Sequence, residues 1–230
     1  AKDFELGEIL QQEDLGRMNF VMNASGSGTT LANMQAELTS SFSEVVYKGY
    51  DYGGLELSGS LNGQMANLQL AFSDSNLQVG LIATANLDTN NTAYQVKLDL
   101  DGANFQKLQL TKDDIRARGK LEARFNGKPE NFTARLEIYN GLIIKNRKSY
   151  PVKPLLFTAV VNPSQTTANL NSMFAEAAVI ANRDPETLAK AIKEHLYSYF
   201  PAEQKEERKT GDISLSARVE FFKSDLLSEV

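Results

Sequence analysis

Four Asn-Gly or Asp-Gly pairs punctuate this chain: Asn62-Gly63, Asp101-Gly102, Asn126-Gly127 and Asn140-Gly141. Between them run stretches in which apolar and polar residues alternate. Such pairs favour two-residue hairpin turns, because both central residues must adopt positive φ. Alternation with a period of two marks a strand with one buried face. The two signals together predict a mainly β chain, an antiparallel meander that either curls into an open groove (a β-taco) or closes as a sandwich. The pattern places its apolar side chains on one inner face.

The alternation can be followed strand by strand. Met18, Phe20, Met22 and Ala24 lead into Gly26-Ser27-Gly28, and Met34, Ala36 and Leu38 resume the pattern. Leu55, Leu57, Gly59 and Leu61 oppose Glu56, Ser58 and Ser60. Leu68, Leu70 and Phe72 follow, then Leu77, Val79 and Leu81, then Tyr94, Val96, Leu98 and Leu100. Phe105, Leu108 and Leu110 sit in a connecting piece. Leu121, Ala123 and Phe125 precede Phe132, Ala134, Leu136 and Ile138. Phe157, Ala159 and Val161 pair with a polar-rich stretch ending at Leu170. Phe174, Ala178 and Ile180 mark another strand, and Leu215, Ala217, Val219 and Phe221 a last one. The first fifteen residues have no clean period and read as a linker with a turn of helix.

One amphipathic helix is expected near 184–200. Asp184 suits the cap, Pro185 the first turn, and Glu186 the positive end of the helix dipole. Leu188, Ile192, Leu196 and Tyr199 recur at helical spacing, and Pro201 stops the run. The charged run 203–209 reads as a solvated loop, and 225–230 as a frayed or cut end.

The chain has 230 residues, 42% of them hydrophobic, a length that fits one large β domain or two small ones, and it is read as a single β-rich domain spanning 1–230. A net charge of −5 argues against nucleic acid as a partner. Cysteine is absent, so disulfides, thiol nucleophiles and Cys-ligated metal are excluded. No apolar run is long enough to span a bilayer. The opening AKDFELGEIL carries neither an initiator Met nor a signal-peptide pattern. It reads as part of a longer protein or a mature form, with any membrane anchor outside this stretch.

Chemistry-bearing motifs are scarce, and no catalytic residue, metal or cofactor is expected. The one histidine, His195, falls inside the helix and reads as a surface or half-buried side chain. Gly26-Ser27-Gly28 is too short to cradle phosphate. Asp99 and Asp101 share the polar parity of their strand and read as solvated, while Asp113-Asp114 reads as a cap or turn. Tyr47-Lys48-Gly49-Tyr50-Asp51-Tyr52 reads as two β segments around a bend, or as an amphipathic rim at the mouth of an apolar groove.

Several of these stretches together resemble one family. They are Phe4-Glu5-Leu6-Gly7 with Leu15-Gly16, the Tyr47–Tyr52 run continuing into Leu55-Glu56-Leu57-Ser58-Gly59, and Phe72-Ser73-Asp74-Ser75-Asn76 before a strand. In these the chain resembles the C-terminal region of TamB, the inner-membrane subunit of the translocation and assembly module. TamB belongs to the AsmA-like bridge-like lipid-transfer proteins, and the likeness is to Bacteroidetes versions. The resemblance implies a periplasmic protein anchored in the inner membrane. Its β-taco would carry phospholipid acyl chains toward the outer membrane, with a role in outer-membrane biogenesis beside a BamA-like partner. It implies no catalytic residues. The 184–200 helix departs from the simplest trough and would plug or line it.

The residues themselves leave two readings open. In the first, Leu68, Leu70, Phe72, Leu77, Val79, Leu81, Val96, Leu98, Leu136 and Ile138 share one concave apolar face that holds a hydrophobic ligand such as phospholipid. In the second, the same residues pack into the dry core of a closed β-sandwich serving as a scaffold or interaction module. An enzyme such as a carbohydrate hydrolase ranks below both.

Overall fold

The computed structural model describes residues 1–5, 7–8, 11–199 and 213–224. The expected mainly β, antiparallel meander is what the chain forms. Its strands hydrogen-bond to their sequence neighbours, and the order does not close into a barrel. The chain divides into two compact units: Ala1–Arg124 with Glu137–Pro154, and Phe125–Leu136 with Leu155–Val230.

Unit 1 contains β1 (Phe4–Glu5), β2 (Leu15–Ser27), β3 (Gln35–Tyr47), β4 (Tyr50–Asp51), β5 (Leu55–Asn62), β6 (Met65–Ser73), β7 (Leu77–Asn86) and β8 (Ala93–Asn104). It also holds most of β9 (Ile115–Lys128), the second part of β10 (Asn131–Lys145), and β11 (Lys148–Val152). The order is β1-β2-β3-β5-β6-β7-β8-β9-β10, with β4 on β3 and β11 on β10. Unit 2 contains β12 (Leu155–Asn162), β13 (Gln165–Asn171), β14 (Ala175–Ala181), α1 (Pro185–Tyr199) and β15 (Leu215–Phe221).

The Asn-Gly and Asp-Gly pairs do not all make hairpin turns. Only Asn62-Gly63 lies at one, and there Asn62 ends β5 opposite Met65, so the turn centres are Gly63 and Gln64, of which Gly63 alone has positive φ, at 56. Asp101-Gly102 lies inside β8. Gln78 faces Gly102 while Val79 faces Leu100, so Asp101 is the extra residue of a β-bulge. Asn140 sits at φ 54 within β10, and a Cβ on Gly141 would lie 2.7 Å from the Cβ of Val152. Gly127 sits at φ 120 near the end of β9. Two tight turns fall at other pairs. Lys48-Gly49 has φ 49 and 79, and Asn146-Arg147 has φ 49 and 67. Positive φ at both centres is the type I′ signature that matches strand twist.

The register of unit 1 sorts its side chains into two faces, because directly opposed residues of an antiparallel pair point the same way. On one face four rows cross β2, β3, β5, β6, β7 and β8. The first row contains Phe20, Phe42, Leu55, Phe72, Val79 and Leu100; the second, Met22, Ser40, Leu57, Leu70, Leu81 and Leu98. The third contains Ala24, Leu38, Gly59, Leu68, Ala83 and Val96; the fourth, Gly26, Ala36, Leu61, Ala66, Ala85 and Tyr94. Ser40 is the one polar side chain in these rows, and its hydroxyl donates to the Val21 carbonyl at 3.2 Å. The opposite face carries rows such as Asn23, Thr39, Ser58, Gln69, Ile82 and Lys97.

Unit 2 repeats this division on a smaller scale. Phe157, Leu170, Ala177 and Val219 form one apolar row, and Ala159, Ala168, Val179 and Ala217 the next. The parity expected for β14 is therefore corrected. Ala177, Val179 and Ala181 are on the apolar face, whereas Ala178 and Ile180 point the other way beside Arg218 and Ser216. Phe174 precedes the strand and misled the count.

The helix starts where its cap predicts. Asp184 Oδ1 accepts the Glu186 and Thr187 N–H groups, each at 3.0 Å, and Oδ2 accepts the Thr187 hydroxyl at 2.7 Å. These bonds, led by those from Thr187, hold the Asp184 carboxyl below its ordinary pKa. Leu188 is buried. His195 lies on this helix, with its side chain outside the described residues, as are the 203–209 run and the 225–230 end.

Candidate functional site: the two faces of unit 1

The apolar face is sealed at one end and open toward the other. The packed end is the first row, where the side chains are large and aromatic rings meet edge to face or tilted. Phe4 lies 6.2 Å from Phe20, Phe20 5.5 Å from Phe42, and Tyr52 5.5 Å from Phe72. Phe72 is left 4% exposed. Burying rings such as Phe42 and Phe72 contributes about 1.5–3 kcal/mol each.

The Tyr47–Tyr52 stretch builds this seal. The Lys48-Gly49 turn brings Tyr50 opposite Tyr47 and sends Tyr52 onto Phe72. It is a tight hairpin, the plainer of the two readings of that stretch. Asp74 anchors it. The Tyr50 hydroxyl donates to Asp74 Oδ2, Asn76 Nδ2 donates to the same hydroxyl at 3.1 Å, and Asp74 Oδ1 accepts the Asn76 and Leu77 N–H groups at 2.7 Å each. Burial pushes the Asp74 carboxyl up, but the Tyr50 and backbone bonds outweigh it, so its pKa lies below the ordinary value. Burial, then the bond to Asp74, pushes the Tyr50 phenol up. The 105–110 piece closes the same end: Leu108 is 1% exposed, and Gln109 Nε2 donates to the Gly49 carbonyl at 3.2 Å.

Away from the seal the side chains shrink. The third and fourth rows contain Ala24, Gly59, Ala83, Gly26, Ala36, Ala66 and Ala85; of their larger members Leu38, Leu61 and Val96 are half-buried, while Leu68 and Tyr94 are exposed, Leu68 to 40%. Met22 in the second row is exposed as well. The face thus has a packed aromatic end and, toward the other end, rows in which Ala and Gly alternate with larger side chains.

By register, Leu68, Leu70, Phe72, Leu77, Val79, Leu81, Val96 and Leu98 lie on the same side of the sheet. Phe72 belongs to the seal. Leu136 lies in unit 2 and Ile138 in unit 1, on successive parts of β10.

The opposite face holds a feature that the alternation did not flag, a cavity of about 690 Å³ in unit 1. Its lining takes the residues on both sides of each leucine of the second row, such as Glu56 and Ser58, Gln69 and Ala71, Lys97 and Asp99. The next residues of the leucine face, Leu68 and Phe72 among them, are not in it, so its side chains come from the polar face. Lys120 Nζ pairs with Asp99 Oδ2, Lys97 Nζ lies 4.0 Å from Glu122 Oε1, and the Tyr139 hydroxyl donates to Glu122 Oε1 at 3.3 Å. The bond to Asp99 raises the Lys120 pKa, and burial followed by the Glu122 charge raises that of Tyr139. The legible signal was K-x-D on β8 followed by K-x-E on β9, charges two apart and therefore on one face. Chemically the cluster is two ion pairs and a phenol that fix how β8 meets β9. Asp99 is thus ion-paired, and Asp101 is the bulge residue.

Comparison with protein-family models, curated proteins and solved structures finds no match. No helix among the described residues is long and apolar enough to cross a membrane.

Proposed function

We propose that unit 1 is a non-enzymatic lipid-carrying segment whose trough takes the acyl chains of phospholipid. The observation that supports this reading is the run of four apolar rows across β2–β8, packed at one end and floored by small residues at the other. Each acyl CH₂ buried there contributes about 0.8 kcal/mol relative to water. A bilayer offers nearly the same stabilisation, so lipid can pass through without a catalyst. On this reading, which the TamB-like stretches support, the chain works in the periplasm as part of a longer protein anchored in the inner membrane and carries lipid toward the outer membrane beside a BamA-like partner.

The alternative, a closed scaffold or interaction module, draws on the first row, where Phe42 and Phe72 are packed as in an ordinary core. A photo-crosslinking residue at Leu81 or Val96 separates the two, with Gln95 or Lys97 on the polar face as control. Phospholipid adducts at the leucine-face positions alone support the trough. Equal labelling, or none at either pair in lipid-containing cells, favours the scaffold.

A further inference from the structure

Among the described residues one edge of β15 has no partner: the strand pairs only with β14, and every residue from Leu215 to Phe221 is exposed, Phe221 to 81%. Two hydrogen bonds show which of its backbone groups are free. Phe222 N–H donates to the Phe174 carbonyl at 2.9 Å, and the Ser214 carbonyl accepts from Asn182 N–H at 3.1 Å. Even-numbered residues therefore turn their backbone groups toward β14. Leu215, Ala217, Val219 and Phe221 turn theirs outward, because the direction alternates along a strand. An exposed edge of this kind is a template for another strand.

The side chains select which strand. We infer that β15 pairs antiparallel with β15 of a second copy of this chain, about a twofold axis at Val219. In that register Val219 faces Val219 of the partner and Ala217 faces Phe221, a small residue against a large one. Arg218 falls opposite Glu220 twice, in the non-hydrogen-bonded positions where side chains come closest. Sliding the pair by two residues in total sets Arg218 against Arg218, or Glu220 against Glu220, and like charges directly opposed are unfavourable. Any slip of odd total pairs apolar residues with polar ones. In the chosen register the apolar row Phe157, Leu170, Ala177 and Val219 continues into its counterpart, so one apolar face runs through both copies. This inference does not depend on what the face carries.

Sedimentation velocity over tens to hundreds of micromolar tests it on the chain as it stands. Wild type should show a concentration-dependent dimer. Val219→Pro should be monomeric with an unchanged melting temperature, since its N–H points away from β14 and proline is tolerated on an edge. Arg218→Glu should weaken the dimer at least about tenfold, and Arg218→Glu with Glu220→Arg should restore it. The chain has no cysteine, so Val219→Cys should give a disulfide-linked dimer on mild oxidation and Ser216→Cys should not. A wild type that stays monomeric, a dimer that survives both Val219→Pro and Arg218→Glu, or a charge swap that fails to restore it would overturn the inference.

Discussion

The two ends of the apolar face of unit 1 are built from the same strands and the same alternation, yet they differ in packing. In the row of Phe20, Phe42 and Phe72 the rings fill the space and the Tyr50–Tyr52 hairpin lies on top. Two rows away, Gly59, Leu68 and Ala83 stand side by side and Leu68 is in water. Period-two alternation fixes which face is apolar. Side-chain volume along each strand then decides whether that face becomes a core or a cavity.

Phe72→Ala should produce the largest effect, a loss of about 3–5 kcal/mol in urea unfolding, because it empties a packed site. If it costs no more than a change at the open end, the distinction between the ends fails.

Next comes the anchor of the seal. Asp74 has a folded pKa below its ordinary 3.8, so its contribution is present above that value and is lost as pH falls through the folded pKa. The Tyr50 phenol is raised above 10.0, so its contribution holds below that value and is lost as pH climbs past the folded pKa. Asp74→Asn should cost about 1 kcal/mol at neutral pH and flatten the acid limb of the stability curve. An unchanged acid limb would remove Asp74 from the seal.

Asp184→Ala should cost about 1 kcal/mol through the lost helix cap. Followed by circular dichroism, it should leave the Tyr50 and Tyr52 environment in unit 1 unaltered. Leu68→Ala should be the mildest change, about 1 kcal/mol or less, because so much of that side chain is already in water.

Much of this could be read from the residues, and the gaps have physical causes. The alternation of Leu55–Leu61, Ala66–Phe72 and Leu77–Ala85 identified the apolar face, since a slip of one residue would turn a whole strand over. Asp184-Pro185-Glu186 located the helix start because a cap is a local hydrogen-bonding device. Asp101-Gly102 and Asn140-Gly141 were misread because the freedom that suits glycine and asparagine to turns also suits them to bulges. The bend within Tyr47–Tyr52 was legible and falls at Lys48-Gly49, whereas the turn at Asn146-Arg147 was missed because arginine rarely marks positive φ. In β14, alanines fill both faces, so parity rested on Phe174 and Ile180 and came out inverted. The polar-face cavity depends on which strands are neighbours, which no single strand's pattern contains.

The trough's capacity for lipid is best tested by filling its shallow end. A Cβ on Gly59 would come no closer than 3.5 Å to its neighbours, so a side chain can be added there. Phospholipid that co-purifies with the wild-type chain should be visible by native mass spectrometry. It should be lost from the Gly59→Leu, Ala83→Leu double variant while the melting temperature holds or rises. A wild-type chain that carries no phospholipid from lipid-containing cells, or a filled variant that carries as much as wild type, would contradict the account.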